Sequence, residues 1–224
     1  MLKTNSTSRS KYFDYQQLAE IELTTTQIEG KRFYVHPDGS KFKSVTTILG
    51  ERTDKSGILE WRKRVGEEEA NRISTQAATR GTAVHLLCER YLRNEDDYLR
   101  KAMPSNIASF KDLQKILDEN IDIIYANEIP LFSHRLKAAG RCDLIAKFGN
   151  INSIVDFKTS RKPKQEEWIQ NYFLQATAYS LMAEEMYDIK IPQIVIMITV
   201  DGEDPQIFIK DRKDYVDRVL EIFY

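Results

Sequence analysis

Gly140-Arg-Cys-Asp143-Leu-Ile-Ala-Lys-Phe148, then Gly149-Asn150, then Ile151-Asn-Ser-Ile-Val-Asp156-Phe-Lys158 is the stretch that decides the fold. Two runs rich in Ile, Val, Leu and Phe flank a Gly-Asn pair, which is the turn chemistry of a tight β-hairpin. Alternation predicts Arg141, Asp143, Ile145 and Lys147 on one face of the first strand, with Cys142, Leu144, Ala146 and Phe148 on the other. In the second strand Ile154, Asp156 and Lys158 share a face. The hairpin can therefore bring Asp143 beside Asp156. Two facing carboxylates repel unless a cation stands between them, and a hard divalent ion is the economical counter-charge. Lys158 at the edge of such a pair suits a phosphate or a polarised water. For Asp156-Phe-Lys158 taken alone, an exposed edge strand with an incidental ion pair is the alternative reading.

The sequence on either side supplies further polar groups. Residues 165–186 read as a long helix introduced by Arg161-Lys-Pro-Lys164, with Pro163 near its start. Trp168, Tyr172, Gln175, Tyr179, Met182 and Met186 follow three- and four-residue steps and form one stripe. Core packing is expected for Trp168, Met182 and Met186, while Gln175 and Tyr179 carry the polar tips. Upstream, Arg80-Gly-Thr-Ala-Val-His85-Leu-Leu-Cys-Glu-Arg90 places Gly81, His85 and Glu89 a helical turn apart on one face. A lone helical histidine is more often structural than a ligand, so His85 gains meaning only from its company.

In order along the chain, Gly81-x-x-x-His85, Glu128 in Asn-Glu-Ile-Pro, Gly140-x-x-Asp143, Asp156-x-Lys158 and Gln175-x-x-x-Tyr179 resemble the RecB-type branch of the PD-(D/E)xK nucleases. The resemblance covers roughly residues 79–200. Arg32-Phe-Tyr34, Ser44-Val-Thr-Thr-Ile-Leu49, Trp61 and Gly66-Glu-Glu-Glu-Ala70 extend it toward the mitochondrial genome maintenance exonucleases and their phage-encoded relatives. It implies a restriction-endonuclease-like α/β (α+β) core, a mixed central sheet flanked by helices. Catalytic roles would fall to Asp143, Asp156, Lys158 and Glu128. Mg²⁺ or Mn²⁺, one or two ions, would be held by His85, Asp143, Asp156 and the Phe157 carbonyl. Arg80, Gln175, Tyr179, Thr159 and Ser160 would contact or position the substrate. The activity implied is hydrolysis of DNA from single-stranded ends, in replication, recombination or repair. A structure-specific endonuclease, a ring-shaped double-strand exonuclease and an inactive nucleic-acid-binding module use the same core, and stay open as alternatives.

Composition sets the outer limits. A chain of 224 residues with 42% hydrophobic content can bury one sizeable core. Its longest apolar run, Ile194 to Val200, is too short to span a bilayer and reads as a buried strand. The first ten residues are polar, so neither a secretory leader nor a membrane anchor is expected, and a cytoplasmic or nucleoid-associated location is. Two cysteines, Cys88 and Cys142, cannot supply the four ligands of an iron–sulfur cluster, so none is expected. The net charge of −1 is close to neutral, with positive charge gathered locally at Arg62-Lys-Arg64, Arg80, residues 135–141 and Arg161 to Lys164. That balance fits a short grip on DNA near one site better than long duplex wrapping.

The expected organisation is a flexible polar N-terminus over 1–10 and a single domain over 11–224. Within it, a helical region spans about 58–125 and a catalytic core about 126–224. An N-terminal hairpin is predicted around Pro37-Asp-Gly-Ser40, between strands at 31–35 and 41–45. Residues 58–92 should be helical with an interruption near Gly81, forming an arch-like element. A further helix opens at Ser105. The sheet is expected to begin at Glu128 and to continue over 140–148, 153–158, 193–200 and 206–210, with a closing helix over 211–223. Arg93 to Ser105 is the expected mobile loop. Trp61, Tyr91, Tyr98 and Phe110 in the arch-like region could stack on bases, but core packing is the expected role for most of them.

Overall fold

The structure, a computed structural model, describes residues 9–53 and 56–224; most of the polar N-terminal tail, residues 1–8, lies outside the described residues. Nine strands form one mixed sheet: β1 (Asp14–Tyr15), β2 (Thr24–Ile28), β3 (Lys31–Val35), β4 (Lys41–Ser44), β5 (Ile121–Ser133), β6 (Ala138–Phe148), β7 (Ile151–Ser160), β8 (Gln193–Val200) and β9 (Gln206–Asp211). The helices are α1 (Val45–Arg52), α2 (Ser56–Val65), α3 (Glu67–Leu92), α4 (Pro104–Asn120), α5 (Gln170–Tyr187) and α6 (Lys213–Phe223). A 3₁₀ turn over Glu166–Ile169 leads into α5.

The predicted central hairpin is present. Strands β6 and β7 pair antiparallel from Phe148↔Ile151 to Leu144↔Val155, joined by Gly149 and Asn150 at φ 58° and 68°. Two successive residues at positive φ make the tight turn that matches strand twist. Strand β7 then runs parallel to β8 over its last eight residues.

Strand β6 organises the sheet. One of its edges is covered by β5 from end to end. The other edge is shared: β7 takes residues 144–148, and β4 takes only Ala138 and Ala139. Residues 140–143 have no strand partner on that edge. The sheet is split there, and Asp143 stands at the mouth of the split.

Helices cover both faces. On one side α3 and α4 bury Val84, Leu87, Tyr91, Phe110, Leu113 and Leu117 against Leu144, Ala146, Phe148, Val155, Phe157 and Met197. On the other, α5 and α6 bury Phe173, Met182, Val219 and Ile222 against Ile145, Ile154, Ile194, Ile196 and Ile198. Burial of each such side chain is worth about 1.5–3 kcal/mol. This is the mixed α/β, restriction-endonuclease-like architecture expected. Among the described residues, no helix is long and apolar enough to cross a membrane.

Several local expectations are corrected. Helix α3 runs unbroken through Gly81; the break falls at Gly66, whose φ of 86° separates it from α2. The strand expected over 41–45 stops at Ser44, whose hydroxyl accepts the Thr47 N–H at 3.1 Å and so caps α1, a helix the periodicity did not reveal. Strand β5 begins at Ile121, seven residues before Glu128. Strands β1 and β2 were also not anticipated. Helix α5 starts at Gln170 rather than 165, and Trp168 in the preceding turn is 66% exposed, not core. Cys142 packs on the α5 side with Ile145, whereas Leu144, Ala146 and Phe148 pack on the α3 side, so β6 does not alternate regularly across Asp143. In the stretch read as a mobile loop, Tyr98 is buried and packs its ring at a tilt against Tyr91 and Phe110.

Candidate active site

The split in the sheet gathers the polar residues. Asp143 Oδ2 accepts the Phe157 N–H at 2.9 Å, so its carboxylate replaces a strand carbonyl where β6 and β7 part. A strand residue turns its N–H and C=O toward the same neighbour; the Phe157 carbonyl therefore faces the split as well. Helix α3 brings His85 in from above, with Nδ1 3.4 Å from Asp143 Oδ2 and the ring edge-on to Phe157 at 6.1 Å. Glu128 enters from β5, in register opposite Asp143 between Asn127↔Leu144 and Ile129↔Cys142. Its φ of 56° is uncommon for a residue with a side chain. Arg141 donates to its carbonyl at 2.7 Å and fixes that conformation. Ligand atoms of His85, Glu128 and Asp143 all lie within 4.8 Å of one another.

The second carboxylate approaches from the opposite face. Asp156 is 2% exposed and forms an ion pair with Lys158. Burial pushes the Asp156 carboxyl up, and the nearby Asp143 charge adds to this, while Lys158 and His85 work against it. For Lys158, burial works downward, but Asp156 and Asp143 outweigh it, so its pKa is raised and the ammonium is retained. The Tyr172 ring stands over that ammonium, 5.1 Å from centroid to Nζ. Glu128 is pushed up to about 8, first by burial, then by Asp143 and Glu89, with Arg141 and Arg93 opposing.

Helix α5 closes the site from behind. Gln175 Nε2 donates to the Tyr179 hydroxyl at 3.3 Å, and Tyr179 is 3% exposed. The hydroxyl end of its ring lies against Gly140: a Cβ there would stand 2.6 Å from Tyr179 Cε1 and from its hydroxyl oxygen. The glycine three residues before Asp143 is thus required by a close approach.

Not every expected site residue reaches this cluster. Arg80 pairs with Asp201 at 2.5 Å and donates to Ser109 at 3.1 Å. With Thr159, Ser160, Arg161, Gln76 and Asn106 it lines a groove of about 610 Å³ between α3, the start of α4 and the ends of β7 and β8. Ser160 spends its hydroxyl on the Lys162 carbonyl at 2.7 Å. Tyr172, by contrast, belongs to the site, although its place in the stripe marked it only as one more aromatic of a packed helix. Its four-residue spacing from Trp168 and three-residue spacing to Gln175 carried no sign of a partner on β7.

A divalent cation fits this donor set. Two carboxylates, Glu128 and Asp143, converge with the His85 imidazole, and on the adjoining strand Asp156 Oδ2 is buried with no hydrogen-bond partner of proper geometry. Oxygen donors with one imidazole suit Mg²⁺ or, better, Mn²⁺.

A split mixed sheet with helices on both faces, bearing two carboxylates and a lysine on its central hairpin, defines a nuclease of the restriction-endonuclease-like fold. The sequence profile of the PD-(D/E)XK nuclease superfamily matches residues 56–207, more than half of the chain, and the chain belongs to that superfamily. PD-(D/E)XK nucleases are metal-dependent phosphodiester hydrolases. Among solved structures, the chain is similar to an exonuclease candidate from Eubacterium rectale, at 13% identity and a TM-score of 0.43, with 64% of this chain and 63% of that one covered. The chain thus spans less than two thirds of the length of that protein. No curated protein matches it.

Proposed function

We propose that this protein is a metal-dependent exonuclease that hydrolyses DNA from single-stranded ends, in replication, recombination or repair, and acts in the cytoplasm or at the nucleoid. The observation that carries this reading is the convergence of His85, Glu128 and Asp143 on the split beside the buried Asp156–Lys158 pair. The motif order shared with RecB-type nucleases, the mitochondrial genome maintenance exonucleases and their phage relatives supports the exonuclease assignment.

His85, Glu128, Asp143, Asp156 and the Phe157 carbonyl are the groups that would hold Mg²⁺ or Mn²⁺. When bound, the ion supplies Lewis-acid polarisation of phosphate and water. The chain's own residues do the rest. The Phe157 N–H holds Asp143 in one orientation. Lys158 stays protonated and donates to a phosphate oxygen or to the attacking water, offsetting negative charge as it grows on the phosphoryl oxygens. Tyr172 keeps bulk water off the ammonium, so that this charge acts in a poorly solvated setting. Gln175 and Tyr179 hold β6 and the helix in register at Gly140. Arg80, Thr159 and Ser160 line a groove that takes the adjoining backbone.

The test is degradation of end-labelled linear and circular single-stranded DNA with Mg²⁺ or Mn²⁺, beside Lys158→Ala. Metal-dependent loss of the linear strand alone, abolished in the variant, supports the exonuclease. Cutting of the circle makes it an endonuclease. No cleavage of these or of duplex ends leaves a binding module.

A further inference from the structure

Trp168 is out of place as a structural residue. Tryptophan is usually well buried, yet this one is 66% exposed in a chain that has two. Its backbone is held in place. The backbone N–H donates to the Gln165 carbonyl at 3.1 Å, and the next residue, Ile169, is buried. Ahead of the turn, Lys164 and Gln206 exchange two hydrogen bonds, at 2.6 and 3.0 Å. Glu166 is tied to Lys210 at 2.6 Å, and its carbonyl accepts from Gln170 at 3.0 Å. A large flat ring is thus presented to solvent from a turn whose backbone is tied down on both sides.

Its place just ahead of α5 gives this meaning. Tyr172, one turn further on, covers the ammonium of Lys158. Gln175 and Tyr179 continue the stripe to Gly140 beneath the carboxylates. Trp168 lies in the turn just before the helix, four residues ahead of the Tyr172 that covers that ammonium. Immediately before it, Arg161, Lys162 and Lys164 supply three cations for backbone phosphates. An unpaired, unstacked base offers its face to such a ring.

We infer that Trp168 is a stacking platform for a nucleobase of the single-stranded segment next to the scissile phosphate. The inference rests on the nuclease reading above and adds a base-binding position to it. Stacking on an aromatic side chain is worth about 1–3 kcal/mol per base, or about 5- to 150-fold.

The experiment crosses Trp168→Ala and Trp168→Phe with oligothymidylates carrying one abasic residue at successive positions. Trp168→Ala should lower kcat/KM on the intact strand within that range, and Trp168→Phe by much less. An abasic residue at one position should slow the wild type equally and add nothing in Trp168→Ala. In Trp61→Phe, where Trp168 is the sole reporter, strand binding in EDTA should quench its emission saturably. The platform is overturned if Trp168→Ala cleaves like the wild type, as it would were Trp168 a protein-docking residue. It is overturned equally if the loss is independent of the abasic position. A wild type that cleaves nothing with either metal sinks the nuclease reading separately. The fluorescence then decides the platform alone: a saturable quench keeps it, and an unchanged emission rejects it.

Discussion

Gly140→Ala puts the geometry of the split to its sharpest test. The added methyl would lie 2.6 Å from Tyr179 Cε1, 2.6 Å from its hydroxyl oxygen and 2.9 Å from Cζ, against an ordinary contact of about 3.5–4.0 Å. The ring cannot swing away freely. Tyr179 is buried among Cys142, Ala176 and Met182, and Gln175 holds its hydroxyl. Strand β6 cannot retreat either, because Gly140 pairs with Leu131 on its other edge. Overpacking of this kind costs about 1–3 kcal/mol. For a chain of this size that is a fall in Tm of about 2–12 °C. The loss should be specific to the ring. Tyr179→Ala alone should cost about 3–5 kcal/mol, as deletion of a large buried aromatic does. In that background Gly140→Ala should cost nothing further, giving a coupling of about 1–3 kcal/mol in a double-mutant cycle by urea unfolding. Wild-type stability in Gly140→Ala, or simple additivity in the double variant, would refute the argument.

Three further outcomes are expected. Asp156→Asn should abolish metal-dependent cleavage with an unchanged circular dichroism spectrum, since the amide keeps the shape but not the charge; cleavage at the wild-type rate would remove Asp156 from the centre. Tyr172→Leu should lower kcat by about 2- to 30-fold through loss of a cation–π contact of about 0.5–2 kcal/mol, and Tyr172→Phe should restore it; equal defects in both would reduce Tyr172 to packing. In EDTA, stability should fall as pH rises from about 4.5 to about 8, because native Glu128 keeps a proton that the unfolded chain has lost. One such group contributes at most about 1.4 kcal/mol per pH unit. Urea melts should show a shallower slope in Glu128→Gln and in saturating Mn²⁺, and a rise in stability with pH that Glu128→Gln steepens no further would contradict the assignment.

The sheet-forming residues of the second half were legible because their signals are local. Gly149-Asn150 prescribes a tight turn, the run from Ile194 to Val200 can only be a buried strand, and the hairpin register follows from the turn. The first half was less legible for an equally physical reason. Ser44 caps a helix with a single hydroxyl at the end of a β-like run, and periodicity is blind to one hydrogen bond. Glycine is a poor helix former, but at Gly81 a 26-residue helix packed along one face absorbs that cost, and the glycine at positive φ, Gly66, is where the helix begins.

Asp143 shows most clearly where a period of two runs out. Strict alternation sets it on the face of Ile145, and Asp156 on that of Ile154. Yet its carboxylate lies in the plane of the sheet, bonded to the Phe157 N–H, because β6 loses its partner on that edge and the side-chain pattern slips between Cys142 and Leu144. This irregularity is what lets one cluster draw on both faces: His85 from the α3 side, Lys158 and Tyr172 from the α5 side, and Glu128 from the neighbouring strand at a strained φ. A regular sheet would keep those groups on opposite faces. Motif spacing fixes which residues are present along the chain, but only the split explains how His85, Glu128 and Asp143 come within 4.8 Å of one another.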